Sequence, residues 1–225
     1  LFTILYVRRL GASHVASLLS GLIFSLCGFM IVWLGHPHVN CAMWLPLLLY
    51  FIEGQFSNLP QQNRRSIAVT SLRRWVGFAV AYGFMMLGGH PPTSVHITIG
   101  ILGYFCFRLS GHGNKQRLRQ AVLLICSILA GLFLAAPQLL PYLEYYRESS
   151  SSLSSEALNR WAGHLTPNTL IHFLLPYVSG SPAVGYEDLP SLLGLKEITN
   201  FNERTGYVGI VTIFLALFAI VNRRC

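Results

Sequence analysis

Residues 10–52 read LGASHVASLLSGLIFSLCGFMIVWLGHPHVNCAMWLPLLLYFI, 43 consecutive positions without a formal charge between Arg9 and Glu53. As one helix this run would measure about 64 Å, roughly twice the hydrocarbon core of a bilayer. It is interrupted by Gly35-His36-Pro37-His38, where glycine and proline both disfavour helix continuation, so two spans joined as a hairpin fit better than one. The second arm, residues 39–52, is short and is expected to be tilted or partly re-entrant.

The device is repeated. Residues 75–107 form another uncharged run of 33, split by Gly88-Gly89-His90-Pro91-Pro92. Its arms are 13 and 15 residues long unless Arg73 and Arg74 snorkel and the first arm begins nearer Ile67. Residues 120–140 supply a fifth span and residues 205–225 a sixth with a basic end. The expected fold is all-α: a polytopic transmembrane bundle with broken helices, built from hairpins 10–52 and 67–107, span 120–140, a long loop 141–204 and a last helix. The apolar start, residues 1–7, runs into Arg8-Arg9 and reads as the end of a helix begun earlier, so the chain is taken as an internal fragment.

Composition agrees. The chain is 53% hydrophobic and 11% charged, against about 25% charged in an average soluble domain, which argues against a water-soluble protein. The net charge of +8 does not signal nucleic acid, because the basic residues stand as short pairs and one loose cluster with no basic helix face interleaved with aromatics. Cys27, Cys106 and Cys126 lie inside apolar stretches and no CxxC occurs, so neither a disulfide framework nor a zinc site is indicated. Residues 10–34 are too long for the apolar core of a signal peptide, and further hairpins follow.

If the spans alternate, 12 of the 16 basic residues, among them Arg8, Arg9, Arg73, Arg74, Arg108 and Lys115, fall on one side. The positive-inside rule makes that side the cytoplasm. Residues 141–204 hold seven of the eight acidic residues against four basic ones and net −3, while the rest nets +11. Both Gly-His-Pro breaks and this loop then face the outside, where chemistry is expected. The serine-rich run 149–155 is expected to be flexible, 157–175 to suit an interfacial helix with Trp161 at headgroup level, and 189–195 a further short helix.

Candidate functional residues gather on that outer side. His36, His38 and His90 sit at helix breaks, where ring nitrogens and freed backbone groups offer contacts to a phosphate. A hinge whose imidazole only satisfies its own backbone is the plainer alternative. A metal site is not indicated, since His-x-His without a nearby carboxylate is a weak ligand set. Glu203 and Arg204 precede the last span and serve either as a site or as an interfacial ion pair. Gln138, between Pro137 and Pro141, suits a kink stabiliser or a substrate contact. Glu187 and Asp188 are adjacent acids in a glycine- and proline-rich loop, where solvation is the ordinary role.

The succession Arg8-Arg9-Leu10-Gly11, Gly28-Phe29, Gly35-His36-Pro37-His38, Trp44-Leu45-Pro46-Leu47, the second Gly-His-Pro, Ala135-Ala136-Pro137-Gln138-Leu139-Leu140-Pro141, Leu175-Pro176 with Gly180, and Glu203 before Gly206-Tyr207-Val208-Gly209 resembles the YfhO family of bacterial membrane proteins. The resemblance implies a relative of the C-type glycosyltransferases. These move a sugar from a polyprenyl-phosphate carrier to an acceptor on the outer face of the membrane, here a cell-envelope polymer such as a teichoic acid. It also implies a catalytic carboxylate in a first outer loop that this stretch does not contain. A lipid-linked sugar is then the donor substrate, the bilayer and the polymer are the partners, and no cofactor is identified. On position and chemistry, His36, His90 and Arg204 are candidates for the carrier phosphate and Glu203 for sugar or acceptor hydroxyls. A transporter or flippase of a lipid-linked sugar and a non-catalytic envelope-assembly protein are the alternatives. A transporter would be expected to carry ionisable residues inside its spans, whereas the formal charges here sit at span ends, which weighs against it.

Overall fold

The computed structural model describes residues 1–56, 64–149, 167–178, 202 and 206–222. Among them the chain is all-α, with no strand. The helices are α1 (Phe2–Arg9), α2 (His14–Leu26), α3 (Gly28–Val32), α4 (Pro37–Ala42), α5 (Leu45–Phe56), α6 (Arg64–Met86), α7 (Pro91–Leu109), α8 (Asn114–Leu134), α9 (Ala136–Glu148) and α10 (Ile210–Asn222), with a 3-10 helix at Pro167–Phe173. The chain divides into one unit of Leu1–Gly21 with His36–Ser149 and another of Leu22–Gly35 with Ser150–Cys225.

In the first unit the helices alternate in direction. Phe2 meets Trp44 and Arg9 lies over the Tyr50 ring, so α1 and α5 run together. Glu53 near the end of α5 meets Arg108 near the end of α7, which gives α7 the same direction. Helices α6 and α8 run the other way, with Ala68 to Leu72 beside Arg119 to Leu123, and Gly83 beside Gly131. The core lies between them. Apolar residues recur one turn apart, Leu48, Ile52 and Phe56 on α5, Phe78, Tyr82 and Met85 on α6, and Ile97, Ile101 and Phe105 on α7, the spacing that puts side chains on one helix face. Closest approach needs glycine: a Cβ on Gly131 would stand 2.8 Å from the Ala79 carbonyl oxygen and 3.1 Å from the Gly83 nitrogen.

The outer faces are apolar too. On α8, Val122, Ile125, Leu129 and Phe133 are 49%, 56%, 58% and 81% exposed, a stripe that water would not favour and lipid would. Helix α8, at 21 residues, is the one described helix both long and apolar enough to cross a membrane. Helices α2 and α10 are apolar but have 13 residues each, about 20 Å. Helix α6 has 23 residues and contains four arginines.

In the second unit, the Gly28 N–H donates to the Tyr207 carbonyl at 2.6 Å and the Ile210 N–H to the Tyr207 hydroxyl at 3.2 Å. The Phe173 ring covers Gly206 so closely that no side chain fits there.

The helix boundaries differ from the sequence reading in instructive places. Helix α6 begins at Arg64, three residues before position 67, and runs through Arg73-Arg74, with Arg74 donating to the Gly54 carbonyl near the end of α5. Span 120–140 is divided at Ala135, and α9 then continues through Pro141 to Glu148, into the stretch read as loop. Proline there forfeits only the bond to the Pro137 carbonyl, which stands at an exposed position. Trp161, the run 150–155 and the segment 189–195 lie outside the described residues.

Candidate functional site

Both Gly-His-Pro segments end one helical stretch and start another. After α3 the chain turns, and His36 takes extended backbone angles (φ −121°, ψ 156°) as the N-cap of α4, with Pro37 in the first turn. That placement suits both residues, since proline's fixed φ fits a first helical turn and its missing N–H would have no partner there. The second break follows α6. Gly89 has φ +86°, a left-handed angle that glycine adopts without strain. His90 then caps α7 ahead of Pro91 and Pro92, its Nδ1 accepting from the Thr93 N–H at 3.2 Å and lying 2.7 Å from the Thr93 hydroxyl. With Nδ1 engaged as an acceptor, the neutral ring carries its proton on Nε2, which is left as a donor.

The fold brings the two breaks together. Gly88 has no room for a side chain, because a Cβ there would stand 2.7 Å from Cys41 Sγ and 2.9 Å from the Cys41 nitrogen. Helix α4 therefore lies directly on the turn before α7, and Cys41 Sγ donates to the His90 carbonyl at 3.6 Å. The His38 ring stacks on His90 with centroids 3.6 Å apart and planes 30° from parallel, and His36 meets His38 edge-on at 6.2 Å. A methyl on Gly89 would lie 3.6 Å from both Gln138 Nε2 and Pro37 Cβ, which puts the Gln138 amide beside the same turn. Four of the six candidates, His36, His38, His90 and Gln138, thus converge at one end of the helices. Glu203 and Arg204, like Glu187 and Asp188, fall outside the described residues.

Stacking sets the electrostatics. Burial lowers the His90 pKa, with a further push from His96; burial also lowers that of His38, with His90 and His36 adding repulsion. Two imidazolium rings in face contact would repel, so the pair is neutral near pH 7 and offers ring N–H donors, not full positive charges. Among the described residues no group of three or more His, Cys, Asp or Glu side chains is arranged to hold a metal ion. The rings lie face to face, not aimed at one point. What the cluster can do is donate neutral hydrogen bonds to an anionic or hydroxyl-bearing ligand.

The opposite end carries a network that sequence reasoning missed. Glu53 is 5% exposed, yet it receives the Arg108 guanidinium at 2.9 Å and the Tyr104 hydroxyl at 2.6 Å. Arg9 donates to the Tyr50 carbonyl at 2.8 Å and covers the Tyr50 ring at 3.5 Å, and Arg74 donates to the Gly54 carbonyl. Gly54 lies in the last turn of α5, where the helix dipole favours cations, and Tyr50 one turn before it. The sequence signal was available: Glu53 is the one acidic residue outside 141–204. Comparison with known proteins finds no matching family model, no similar curated protein and no similar solved structure, so the geometry alone bears on function.

Proposed function

We propose that this chain belongs to a multi-pass protein of the bacterial cytoplasmic membrane that transfers a sugar from a polyprenyl-phosphate carrier to a cell-envelope polymer on the outer face. One observation carries the reading. His38 and His90, 52 positions apart in sequence, stack at 3.6 Å beside His36 and Gln138, at the end of the helices away from the arginines around Glu53. A hinge that only mends its own backbone has no need of the other break. The bilayer supports the reading through the apolar outer stripe of α8 and the apolar helices α2 and α10.

In the mechanism, the acceptor hydroxyl displaces the carrier phosphate at the anomeric carbon, and a carboxylate takes the hydroxyl proton. As the carbon–oxygen bond to the carrier breaks, negative charge grows on the leaving phosphate. Imidazole N–H groups and the Gln138 amide, held by packed turns, donate to it without reorganising. The proton-accepting carboxylate is not assigned to any residue of this chain, and Glu203 is a candidate for hydroxyl contacts only.

His90→Ala or Glu203→Gln in the complete protein is expected to lower sugar transfer at least ~10-fold, about 1.4 kcal/mol of transition-state stabilisation, at unchanged protein level. Full transfer by both variants would sink the assignment. A second reading is a transporter of the lipid-linked sugar, which the position of the Glu53–Arg108 pair at helix ends, not inside a span, does not favour. Reconstituted vesicles separate the two: labelled sugar appears on the polymer in one case and only on the far leaflet in the other.

A further inference from the structure

Helices α6 and α8 touch backbone to backbone at Gly83 and Gly131, and between their first halves they leave a groove of about 330 Å³. It is lined by Ala68, Ser71, Leu72, Val122 and Leu123, with Arg119 completing the wall. The lining is apolar except for Ser71, whose hydroxyl is already donated to Gln55 at 2.8 Å, and the Arg119 head. Leu72 is 59% exposed within it.

We propose that this groove binds one anionic glycerophospholipid of the cytoplasmic leaflet, an acyl chain lying on Leu72, Val122 and Leu123 and the phosphate on Arg119. The proposal rests on the membrane reading above and adds a site at the opposite end from the histidines. Charge complementarity selects the ligand. Arg108 is neutralised by Glu53, Arg117 donates to the Leu109 and Ser110 carbonyls, and Arg9 and Arg74 to carbonyls of α5. Arg119 has no such partner among the described residues. Lys115 stands one turn before it on the same face of α8. Basic residues at the mouth of an apolar slot between helices suit a lipid phosphate with its chain attached. A free phosphate would leave the apolar wall uncovered, and a zwitterionic headgroup would bring its own cation against Lys115 and Arg119.

The test uses the full chain, extracted from membranes in detergent, delipidated and titrated with phosphatidylglycerol or chain-matched phosphatidylcholine under native mass spectrometry. Phosphatidylglycerol is expected to be retained about 5-fold better, the equivalent of about 1 kcal/mol for one basic contact. Arg119→Gln should abolish that preference. Leu72→Trp, which fills the groove, should weaken retention of phosphatidylglycerol. Arg73→Gln, an exposed arginine of α6 outside the lining, should change nothing. Equal retention of the two lipids would overturn the site, as would equal effects of the Arg73 and Arg119 variants. Displacement by inorganic phosphate with no effect of Leu72→Trp would overturn it in favour of a plain anion contact. Recovery of the chain from cells without detergent would overturn the membrane reading as well; loss of the lipid preference in a membrane-extracted chain overturns this proposal alone.

Discussion

Replacing one glycine by alanine at two positions of the helical bundle should move stability in opposite directions. At Gly131 of α8 the added methyl would stand 2.8 Å from the Ala79 carbonyl oxygen, 2.9 Å from the Tyr82 ring and 3.1 Å from the Gly83 nitrogen. Two of those three neighbours are backbone, so α6 and α8 must separate. Overpacking of this kind costs about 1–3 kcal/mol. Alanine returns about 0.5–1 kcal/mol because glycine is the poorer residue inside a helix. The net expectation for Gly131→Ala is a loss of about 1–2 kcal/mol. At Gly100 of α7 nothing lies within 4 Å of the new methyl, so only the helical gain of about 0.5–1 kcal/mol applies. For a chain of this size about 2–4 °C corresponds to each kcal/mol. Far-UV circular dichroism melts of the full chain in one detergent should therefore show Tm lower by roughly 2–8 °C for Gly131→Ala and higher by roughly 1–4 °C for Gly100→Ala. Shifts of the same sign would refute the close crossing of α6 and α8.

Glu53→Gln removes the carboxylate that faces Arg108. Because the Arg108 side chain is 30% exposed, the expected loss is about 2 kcal/mol, below the 3–5 kcal/mol typical of a fully buried pair; a double cycle with Arg108→Gln measures the coupling, and additive losses would remove the pair from the stability account. Protonation should also matter at the other end. Burial holds the His38 and His90 pKa values below the usual 6.5, so the unfolded chain binds more protons between the lowered values and 6.5. Stability is then fully present above pH 6.5 and falls as pH drops below it. Melts from pH 7.5 to 5 check this, and a slope unchanged by His38→Gln with His90→Gln would count against it. In a background free of native cysteines, a membrane-impermeant thiol reagent applied to intact cells is expected to label Ser151→Cys and to miss Lys115→Cys; the reverse pattern would invert the topology.

The helix breaks were legible because their cause is local. Glycine with φ +86° at position 89, and prolines at 37 and 91 in first helical turns, act through their own backbone. The meeting of His38 with His90 was not legible in this way, since it depends on α4 lying across Gly88, a contact between segments nearly fifty residues apart. The only sequence hint was that Gly-His-Pro occurs twice. Proline misled at position 141, where α8 had already turned at Ala135 and a new helix had begun, so a residue read as a loop boundary sits inside α9. In the sequence Glu53 stands only as the end of an uncharged run. Its role as the anchor for Arg108 and Tyr104 depends on α7 packing beside α5.

Helix α7 is fastened at both ends. His90 caps its start and stacks on His38 of α4, and Arg108 in its last turn is bound to Glu53 of α5. Helix α7 as a whole, 19 residues, measures about 28 Å, close to the thickness of a hydrocarbon core. In the membrane setting proposed above, a strut pinned at each end could not slide along its neighbours when the bilayer is thinner or thicker than its own length. Under the membrane function proposed above, hydrophobic mismatch would tilt α4, α5 and α7 together, carrying the imidazole pair with them, so bilayer thickness would set the angle at which the histidine cluster meets the proposed lipid-borne substrate.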